Sequence, residues 1–288
     1  MKNFKKMKNR YYFTLLFLIS FPSYSQIKGK IIDTLDKNPV SYANITINGK
    51  TFGTVSNENG EFFLNTKQFN KNDTLAISHL NYETKYIFDF KENFEFELIQ
   101  KEERLNEVII TNKHRKTKEK IVGTKTNSGK VILYFVSYNL GGEVGKRIKV
   151  PKKTTFDLNN VSFMIYDFGF KEANLRVNFY KINKDFVDKQ NCNTTENIIK
   201  IKQSGLVTID LTNQNLSFDS DFITSIELLS FEIDPKITKK KRVIDFSSTV
   251  FSGPFYNRNN IHLNWKETKT KFNIGLGLSL SVDKFRND

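Results

Sequence analysis

The amino-acid sequence predicts an all-β protein made of two β-sandwich domains. Short segments alternate between apolar and polar side chains, as residues 43–47 do, which is the period of a half-buried strand. Turn-forming pairs such as Asn48-Gly49 separate these segments at intervals of about 8–12 residues, the spacing typical of sandwiches. No segment shows the apolar spacing of an amphipathic helix. With 288 residues, of which 38% are hydrophobic, the chain has enough apolar side chains for two cores.

Residues 1–25 have the features of a secretory signal peptide. Five basic residues, between Lys2 and Arg10, precede an apolar run over residues 11–21. Ser23 and Ser25 are small residues at the −3 and −1 positions of a cleavage site before Gln26. The apolar run is shorter than the ~20 residues of a membrane-spanning helix, so we expect cleavage and no transmembrane span in the mature chain. This predicts an exported protein that is periplasmic, outer-membrane associated or extracellular.

The first sandwich is predicted over residues 26–111. Its strands are expected at residues 27–32, 43–47, 51–55, 61–64, 74–79, 82–90, 94–98 and 105–111. Between two of these strands, the turn Asn57-Glu58-Asn59-Gly60 superficially resembles part of a calcium loop. It lacks the twelve-residue pattern of such a loop, so we expect an ordinary hairpin turn there.

Several short motifs in this segment stand in the order and spacing of a known family. They are Gly29-Lys30-Ile31-Ile32-Asp33, Ala43-Asn44-Ile45, Asn59-Gly60-Glu61-Phe62, Leu75-Ala76-Ile77-Ser78 and Asn81-Tyr82-Glu83-Thr84. The segment resembles the carboxypeptidase regulatory-like domain, which implies a transthyretin-like (prealbumin-like) sandwich and a non-catalytic accessory role. In Bacteroidetes this domain often precedes the plug of TonB-dependent outer-membrane receptors. The stretch 105–111 is similar to the end of the domain there, but the ~175 residues after it are too few for a plug and a large barrel.

A basic linker and a second sandwich are predicted for the rest of the chain. Residues 112–128 are expected to form the linker, because 112–120 hold five Lys or Arg and one Glu, and such a run stays solvated. Few contacts are expected to cross such a boundary. Residues 129–288 are expected to form a jelly-roll-like sandwich. Its strands are predicted at residues 131–138, 141–148, 155–167, 175–180, 207–212, 222–233, 243–251, 261–265 and 272–282.

The positive charge of the chain favours anionic partners. The formal net charge is +14, and removal of the five basic residues in segment 1–25 lowers it to +9. An acidic glycan, the envelope surface or an outer-membrane protein is the expected partner, and nucleic acid is not, because the protein is exported. A plain solvated Lys-rich surface is the alternative. The residues expected to contact a ligand are Lys236, Lys239, Lys240, Lys241, Arg242 and Tyr256.

Aromatic side chains offer a second kind of contact, because a sugar ring can stack on an aromatic face. Tyr166, Phe168, Tyr256 and Trp265 are the candidates, although aromatic residues in sandwiches more often belong to the core. Trp265 shares strand parity with Ile261 and Leu263 in the predicted strand 261–265. We therefore expect Trp265 to face the core.

Catalytic motifs are absent from the sequence. His79, His114 and His262 are far apart and form no HExxH motif, and neither a Gly-x-Ser-x-Gly elbow nor a P-loop occurs. Cys192 lies alone in a polar loop and is expected to be a bystander thiol. No catalytic residue, metal ligand or cofactor is therefore predicted.

Three functional hypotheses follow from the sequence. The first is an exported, non-enzymatic envelope protein that acts as a binding or interaction module. The second is a carbohydrate-binding or nutrient-uptake accessory protein associated with an outer-membrane transporter. The third is a hydrolase in which two of the carboxylates Asp167, Asp210, Glu227 and Glu232 face a cleft about 5–10 Å apart.

Overall fold

A computed structural model describes residues 26–65, 70, 72–88, 94–102, 118–136, 139–183, 186–238 and 243–286. Within these residues the chain forms strands and loops, and the helical structure is limited to one 3₁₀ turn at Thr212–Gln214. The all-β prediction is confirmed. The signal segment 1–25, His114 and the predicted strand 105–111 lie outside the described residues. No helix in the described part of the chain is long and apolar enough to cross a bilayer.

Within the described residues, seven strands form the first sandwich. They are β1 (Gln26–Asp33), β2 (Asn44–Ile47), β3 (Gly53–Val55), β4 (Glu61–Asn65), β5 (Leu75–His79), β6 (Tyr82–Ile87) and β7 (Phe94–Leu98). One sheet has the order β4-β1-β7, in which β1 and β7 run parallel. The other has the order β3-β2-β5-β6 and is antiparallel. Apolar side chains of both sheets, such as Ile31, Ile45, Phe62 and Ile77, form a common buried core.

Strand β4 illustrates how the sequence pattern produces this packing. Phe62 and Leu64 are buried, while Glu61, Phe63 and Asn65 between them are exposed, as the two-residue period of a strand requires. Gly29 of β1 lies beneath the ring of Phe62, where a Cβ atom would come within 2.5 Å of the ring. A glycine at this position is therefore what lets the aromatic ring close over the strand.

The described part of the second sandwich contains fifteen strands. They are β8 (Lys118–Gly123), β9 (Ile132–Val136), β10 (Glu143–Ile148), β11 (Thr154–Phe168), β12 (Glu172–Asn183), β13 (Phe186–Val187), β14 (Ile198–Ile201), β15 (Gly205–Asp210), β16 (Ser217–Phe218), β17 (Phe222–Glu232), β18 (Val243–Thr249), β19 (Phe255–Arg258), β20 (Lys266–Thr268), β21 (Gly275–Leu276) and β22 (Leu278–Arg286). One sheet is built around the order β13-β12-β17-β10-β19-β20 and the other around β21-β18-β11-β22-β8. Their facing apolar side chains form one large core.

The segment predicted as a linker belongs in part to the second sandwich. Residues 118–123 form β8, which pairs antiparallel with β22 at the edge of a sheet. The linker prediction for 112–128 is therefore wrong for these residues, while 112–117 lie outside the described part. Most side chains of β8 are exposed, because a sheet-edge strand can pair through its backbone while its charged side chains stay in water.

The prediction of a strand at 261–265 is also wrong. These residues form a loop between β19 and β20, which pair as a hairpin. Asn260 starts the turn, because its side-chain Oδ1 accepts the backbone N–H of His262 at 3.1 Å and its carbonyl accepts that of Leu263 at 3.2 Å. Local bonds of this kind compete with the hydrogen bonds of a strand.

The two sandwiches share a bonded interface, in contrast to the few contacts expected between them. Tyr42 and Val55 of the first sandwich pack on Leu229 of the second in a small buried cluster. Polar contacts surround this cluster. They are Asn44 Nδ2 to Glu227 Oε1 at 3.0 Å, Asn174 Nδ2 to the Tyr42 hydroxyl at 3.0 Å, Arg176 Nη2 to the Tyr42 carbonyl at 2.8 Å and Asn260 Nδ2 to the Lys50 carbonyl at 2.9 Å. The residues that these contacts join are more than 130 positions apart in the sequence.

Candidate functional site

The candidate site is built on the outer face of the sheet that contains β12. Along this strand, Leu175, Val177 and Phe179 point into the core of the second sandwich. The residues between them point to the other face, yet they too are buried: Asn174, Arg176, Asn178 and Tyr180. This face is buried because the first sandwich and the loop residues 191–196 and 259–265 cover it.

Glu143 is one of two carboxylates at the centre of this face. It is buried and opposes Glu227 in the register of β10 and β17. The guanidinium of Arg258 donates to Glu143 Oε1 from Nε at 2.8 Å, and the Tyr180 hydroxyl donates to Oε2 at 3.0 Å. Ser225 Oγ donates to the same Oε2 at 2.5 Å. The charge of Glu143 is therefore balanced by Arg258 and its oxygens are fully hydrogen bonded.

Glu227 is the second carboxylate, and its partners come from both sandwiches. Arg176 Nη1 donates to its Oε2 at 3.2 Å, Asn178 Nδ2 to the same oxygen at 2.9 Å, and Asn44 Nδ2 of the first sandwich to Oε1 at 3.0 Å. Burial raises the pKa of Glu227, Arg176 opposes this rise, and the negative charge of Glu143 adds to it. The network holds this carboxylate in place without giving it access to water.

The hydrolase hypothesis required two carboxylates facing a cleft. Glu227 does have a carboxylate neighbour, Glu143, and Asn178 Nδ2 contacts both of them at 2.9 and 3.3 Å. However, both side chains are buried and paired with arginines, so they cannot reach a substrate. The other three candidates, Asp167, Asp210 and Glu232, are exposed, and Glu232 forms an ion pair with Lys171 at 2.6 Å. None of these three forms a pair with Glu227.

A cleft of about 260 Å³ opens where the two sandwiches meet, above this buried network. Its first wall is made by strands β5 and β6 with Lys101, and its second wall by residues 189–191 and 261–262 with Arg176. The ring of Tyr86 is half exposed and lies 6.5 Å from the ring of His262 across the cleft, centroid to centroid. The full lining is Asn44, Ser78, His79, Leu80, Thr84, Tyr86, Lys101, Arg176, Lys189, Gln190, Asn191, Ile261 and His262.

Two histidines that are far apart in the sequence, His79 and His262, both line this cleft. Burial lowers the pKa of His79 to about 3 and that of His262 to about 4, and in both cases nearby cations add to the effect of burial. His262 Nε2 lies 3.2 Å from Ser78 Oγ, which connects the two walls. His79 Nδ1 accepts the backbone N–H of Asn81 at 3.2 Å. Both rings are therefore neutral hydrogen-bonding groups at neutral pH.

Glu196 lies behind His79. His79 Nε2 is 3.4 Å from Glu196 Oε1, a distance at which a charged histidine would form an ion pair. Because burial keeps the ring neutral, the cation that balances Glu196 is Arg176, whose Nη2 lies 3.2 Å away. Burial raises the pKa of Glu196, and Arg176 opposes this rise. Within the described residues, no group of three or more His, Cys, Asp or Glu side chains is arranged to hold a metal ion.

The residues predicted to contact a ligand are not at this cleft. Lys236 is exposed in a turn after β17, and Lys239, Lys240, Lys241 and Arg242 lie outside the described residues. Tyr256 is only 6% exposed, and its hydroxyl donates to Glu267 Oε2 at 2.9 Å. Its ring packs in a cluster with Tyr180 and Ile223, so the prediction that Tyr256 contacts a ligand is corrected: the ring is a packing element.

Trp265 packs against the same cluster. Its ring meets Tyr180 edge to face at a centroid distance of 5.2 Å, and the guanidinium of Arg258 lies 4.5 Å from its centroid. The expectation that Trp265 faces inward agrees with this packing, although the residue lies on a loop and is only partly buried. Cys192 is partly buried on the core of the second sandwich, where burial raises the pKa of its thiol. A thiol in such surroundings is a weak nucleophile.

Comparison with known proteins identifies the family of the first sandwich. Residues 27–110 match the family model of the CarboxypepD_reg-like domain, as the sequence resemblance indicated. A comparison with curated proteins finds no sequence match.

Three solved structures are distantly similar to this chain. The cysteine protease and lectin-like domains of Cwp84, a surface layer associated protein of Clostridium difficile, match with a TM-score of 0.39 and 8% identity over 92% of this chain and 59% of that chain. This chain thus spans about three fifths of that protein. A putative carbohydrate binding protein from Bacteroides uniformis matches with a TM-score of 0.22 and 13% identity over 66% and 80% of the two chains. Carbohydrate-binding modules from the β-sandwich superfamily match with a TM-score of 0.21 and 9% identity over 85% and 97%.

TM-scores below 0.5 do not establish a common fold, so these likenesses leave the family of the second sandwich open. The assignment rests on the family model, which covers the strands of the first sandwich. Residues 27–110 of this protein are therefore a CarboxypepD_reg-like domain.

Proposed function

We propose that this protein is an exported, non-enzymatic binding module of the bacterial envelope, and that its ligand site is the cleft between the two sandwiches. One observation carries the proposal. The cleft of about 260 Å³ is lined by hydrogen-bonding side chains from both sandwiches and by the half-exposed ring of Tyr86. Its volume is near the lower end of ligand pockets, at roughly 300 Å³. Such a lining holds a polar ligand by shape and hydrogen bonds.

The chemistry of the cleft supports binding rather than catalysis. A general base works best when its pKa is near the working pH, whereas the pKa values of His79 and His262 are about 3 and 4. The buried carboxylates Glu143 and Glu227 are sealed beneath the cleft and paired with arginines. The groups that line the cleft therefore serve as hydrogen-bond partners.

Among polar ligands, a carbohydrate suits the cleft best because of the exposed ring of Tyr86. Its ring offers a flat apolar face, and hydrogen-bonding groups such as Ser78, Thr84 and Asn191 lie around it in the same cleft. Sugars present this combination of an apolar ring face and equatorial hydroxyl groups. The more specific form of the proposal is a carbohydrate-binding or nutrient-uptake accessory protein that works beside an outer-membrane transporter.

Export is supported by the composition of residues 1–25. Cell fractionation followed by N-terminal sequencing tests it, and we expect the mature chain to begin at or near Gln26 and to be found in the envelope or the medium. A chain that retains Met1 in the cytoplasm would contradict export. Proteins that co-purify from the envelope fraction would then separate a transporter partner from a free binding module.

The binding proposal is tested with an unbiased glycan array. We expect saturable binding to at least one glycan, lost on Tyr86→Ala. Tyr134→Ala is the matched control, because Tyr134 is another exposed tyrosine, on β9 of the second sandwich and away from the cleft. Binding that is equal in both variants would move the site away from the cleft. No binding to any glycan would refute the carbohydrate form of the proposal.

A further inference from the structure

The charges that line the cleft are all positive. Lys101, Lys189 and Arg176 are the charged residues of the lining, and no Asp or Glu side chain is among the described lining residues. The two histidines do not add charge, because their pKa values of about 3 and 4 keep them neutral at neutral pH. A ligand in the cleft therefore meets cations and neutral donors.

Arg176 is the cation whose charge is already compensated. Its Nη1 donates to Glu227 and its Nη2 to Glu196, each at 3.2 Å, and Nη2 also donates to the carbonyl of Tyr42 at 2.8 Å. Only its buried Nε has no hydrogen-bond partner within the described part of the chain. Since two carboxylates lie beside this guanidinium, its positive charge is already used within the protein and is not available to a ligand.

Lys101 and Lys189 are not compensated in this way. Neither forms an ion pair with a described carboxylate, and they lie on opposite walls of the cleft. Lys101 donates one bond to the carbonyl of Leu80 at 2.7 Å, so two protons of its ammonium group remain for a ligand. Lys189 is exposed at the rim. Burial lowers the pKa of Lys101, and Glu83 at longer range opposes this effect.

From this arrangement, and resting on the proposed function of the cleft, we infer that the ligand is an acidic glycan whose sugar carboxylate is bound by Lys101 and Lys189 while Tyr86 contacts the sugar ring. Each lysine ammonium group can donate to an anionic oxygen, whereas the guanidinium of Arg176 is already occupied by protein carboxylates. The ring of Tyr86 in the same cleft offers an apolar face to the pyranose that carries the carboxylate.

Isothermal titration with a matched pair of ligands tests the inference. Trigalacturonate carries three carboxylates, and its methyl ester has the same sugar skeleton without charge. We expect the acid to bind at least about tenfold more tightly than the ester, because a hydrogen bond to a charged group contributes enough free energy for roughly that factor. The difference should shrink in ~0.5 M salt, since exposed charges are screened.

Lysine variants test which side chains bind the sugar carboxylate. Lys101→Met and Lys189→Met should each weaken acid binding by about tenfold and leave ester binding unchanged. Lys130→Met is the control, because Lys130 is exposed on the second sandwich away from the cleft and should affect neither ligand. Thermal melts establish that each variant is folded. If Lys101→Met does not fold, the exposed Lys189 alone decides the test.

The outcomes separate the inference from the proposed function. Equal affinity for acid and ester overturns charge selection, while loss of both on Tyr86→Ala would leave the cleft as the binding site. Binding of neither trisaccharide overturns the inference, and the glycan array then decides the proposed function on its own. Inorganic phosphate that binds more tightly than trigalacturonate would show that the cleft selects a phosphate group and would also overturn it.

Discussion

Replacement of Arg176 by methionine is the sharpest test of how the two sandwiches are held together. Arg176 is 4% exposed and connects Glu227 of the second sandwich with the Tyr42 carbonyl of the first. Methionine keeps an unbranched stem of similar length but removes the charge and every donor. The substitution leaves Glu227 buried with its neighbour Glu143 and without its own cation.

The expected loss of stability follows from this unpaired charge. Removal of one partner of a buried ion pair costs about 3–5 kcal/mol, a large share of a typical stability of about 5–15 kcal/mol. With a urea dependence near 3 kcal/mol per molar, the unfolding midpoint should fall by roughly 1–2 M. The double variant Arg176→Met/Glu227→Leu should recover part of this loss, because it removes the buried carboxylate together with its cation, while Glu196 still lacks the partner that Arg176 provided.

The loss should depend on pH, and its sign is fixed by Glu227. Burial already raises the pKa of Glu227 above the ordinary value of 4.5, and removal of Arg176 takes away the effect that opposes this rise. A carboxyl whose pKa is higher in the folded chain than in the unfolded chain destabilises the folded state as the pH rises above 4.5. The penalty of Arg176→Met should therefore be larger at pH 8 than at pH 5.

Urea unfolding, monitored by two spectroscopic signals, measures the loss of stability caused by Arg176→Met. Fluorescence of Trp265, the only tryptophan, reports on the second sandwich, and far-ultraviolet circular dichroism reports on both. Arg147→Met is the matched control, because Arg147 forms a partly exposed ion pair with Asp221 at 2.9 Å and should cost less than ~1 kcal/mol. A penalty for Arg176→Met as small as that of the control, or one that does not change between pH 5 and 8, would refute the reasoning.

Three further outcomes are expected. The excised segment 26–111 should fold on its own core but melt at a lower temperature than in the full chain, because Tyr42 and Asn44 lose their partners; differential scanning calorimetry of both would show equal melting if this is wrong. Trp265→Ala should cost about 2–3 kcal/mol in urea unfolding followed by circular dichroism, less than the ~3–5 kcal/mol of a fully buried tryptophan, and no loss would mean that the ring does not support Arg258. His79→Gln should reduce the loss of stability that wild type shows as the pH falls from 6.5 to 4, because the pKa of His79 falls from 6.5 to about 3 on folding; parallel pH profiles would contradict this.

Much of the fold could be predicted from local patterns in the sequence. Alternation located β1, β4, β5, β7 and most long strands of the second sandwich within a few residues. Strand β8 does not show in the sequence pattern, because most of its side chains are exposed and three of them are charged, as in a solvated linker. The alternation of Ile261, Leu263 and Trp265 predicts a strand, but the bond from the backbone N–H of His262 to the Asn260 side chain starts a turn, and such local bonds prevail over a short alternation.

The candidate site could not be predicted in the same way. His79, Lys101, Arg176 and Lys189 are brought together by the docking of two domains, and nothing in local periodicity reports on that docking. One signal was available in β12, where arginine and asparagine occupy the polar positions. A polar face that meets water more often carries lysine and glutamate, whereas buried polar positions need side chains that make several directional hydrogen bonds.

The character of the interface explains why the cleft has a defined shape. Its apolar part is small, since Tyr42, Val55 and Leu229 form the buried cluster there. A small apolar contact alone would tolerate many relative orientations, because hydrophobic association is not directional. The bonds from Asn44 to Glu227 and from Arg176 to the Tyr42 carbonyl each require a particular angle and distance. Because the cleft walls belong to different sandwiches, these directional bonds fix the distance between the side chains that a ligand meets. The buried network thus supports ligand binding indirectly. It holds the two walls of the cleft in one arrangement, while its own charged groups stay paired and do not contact the ligand.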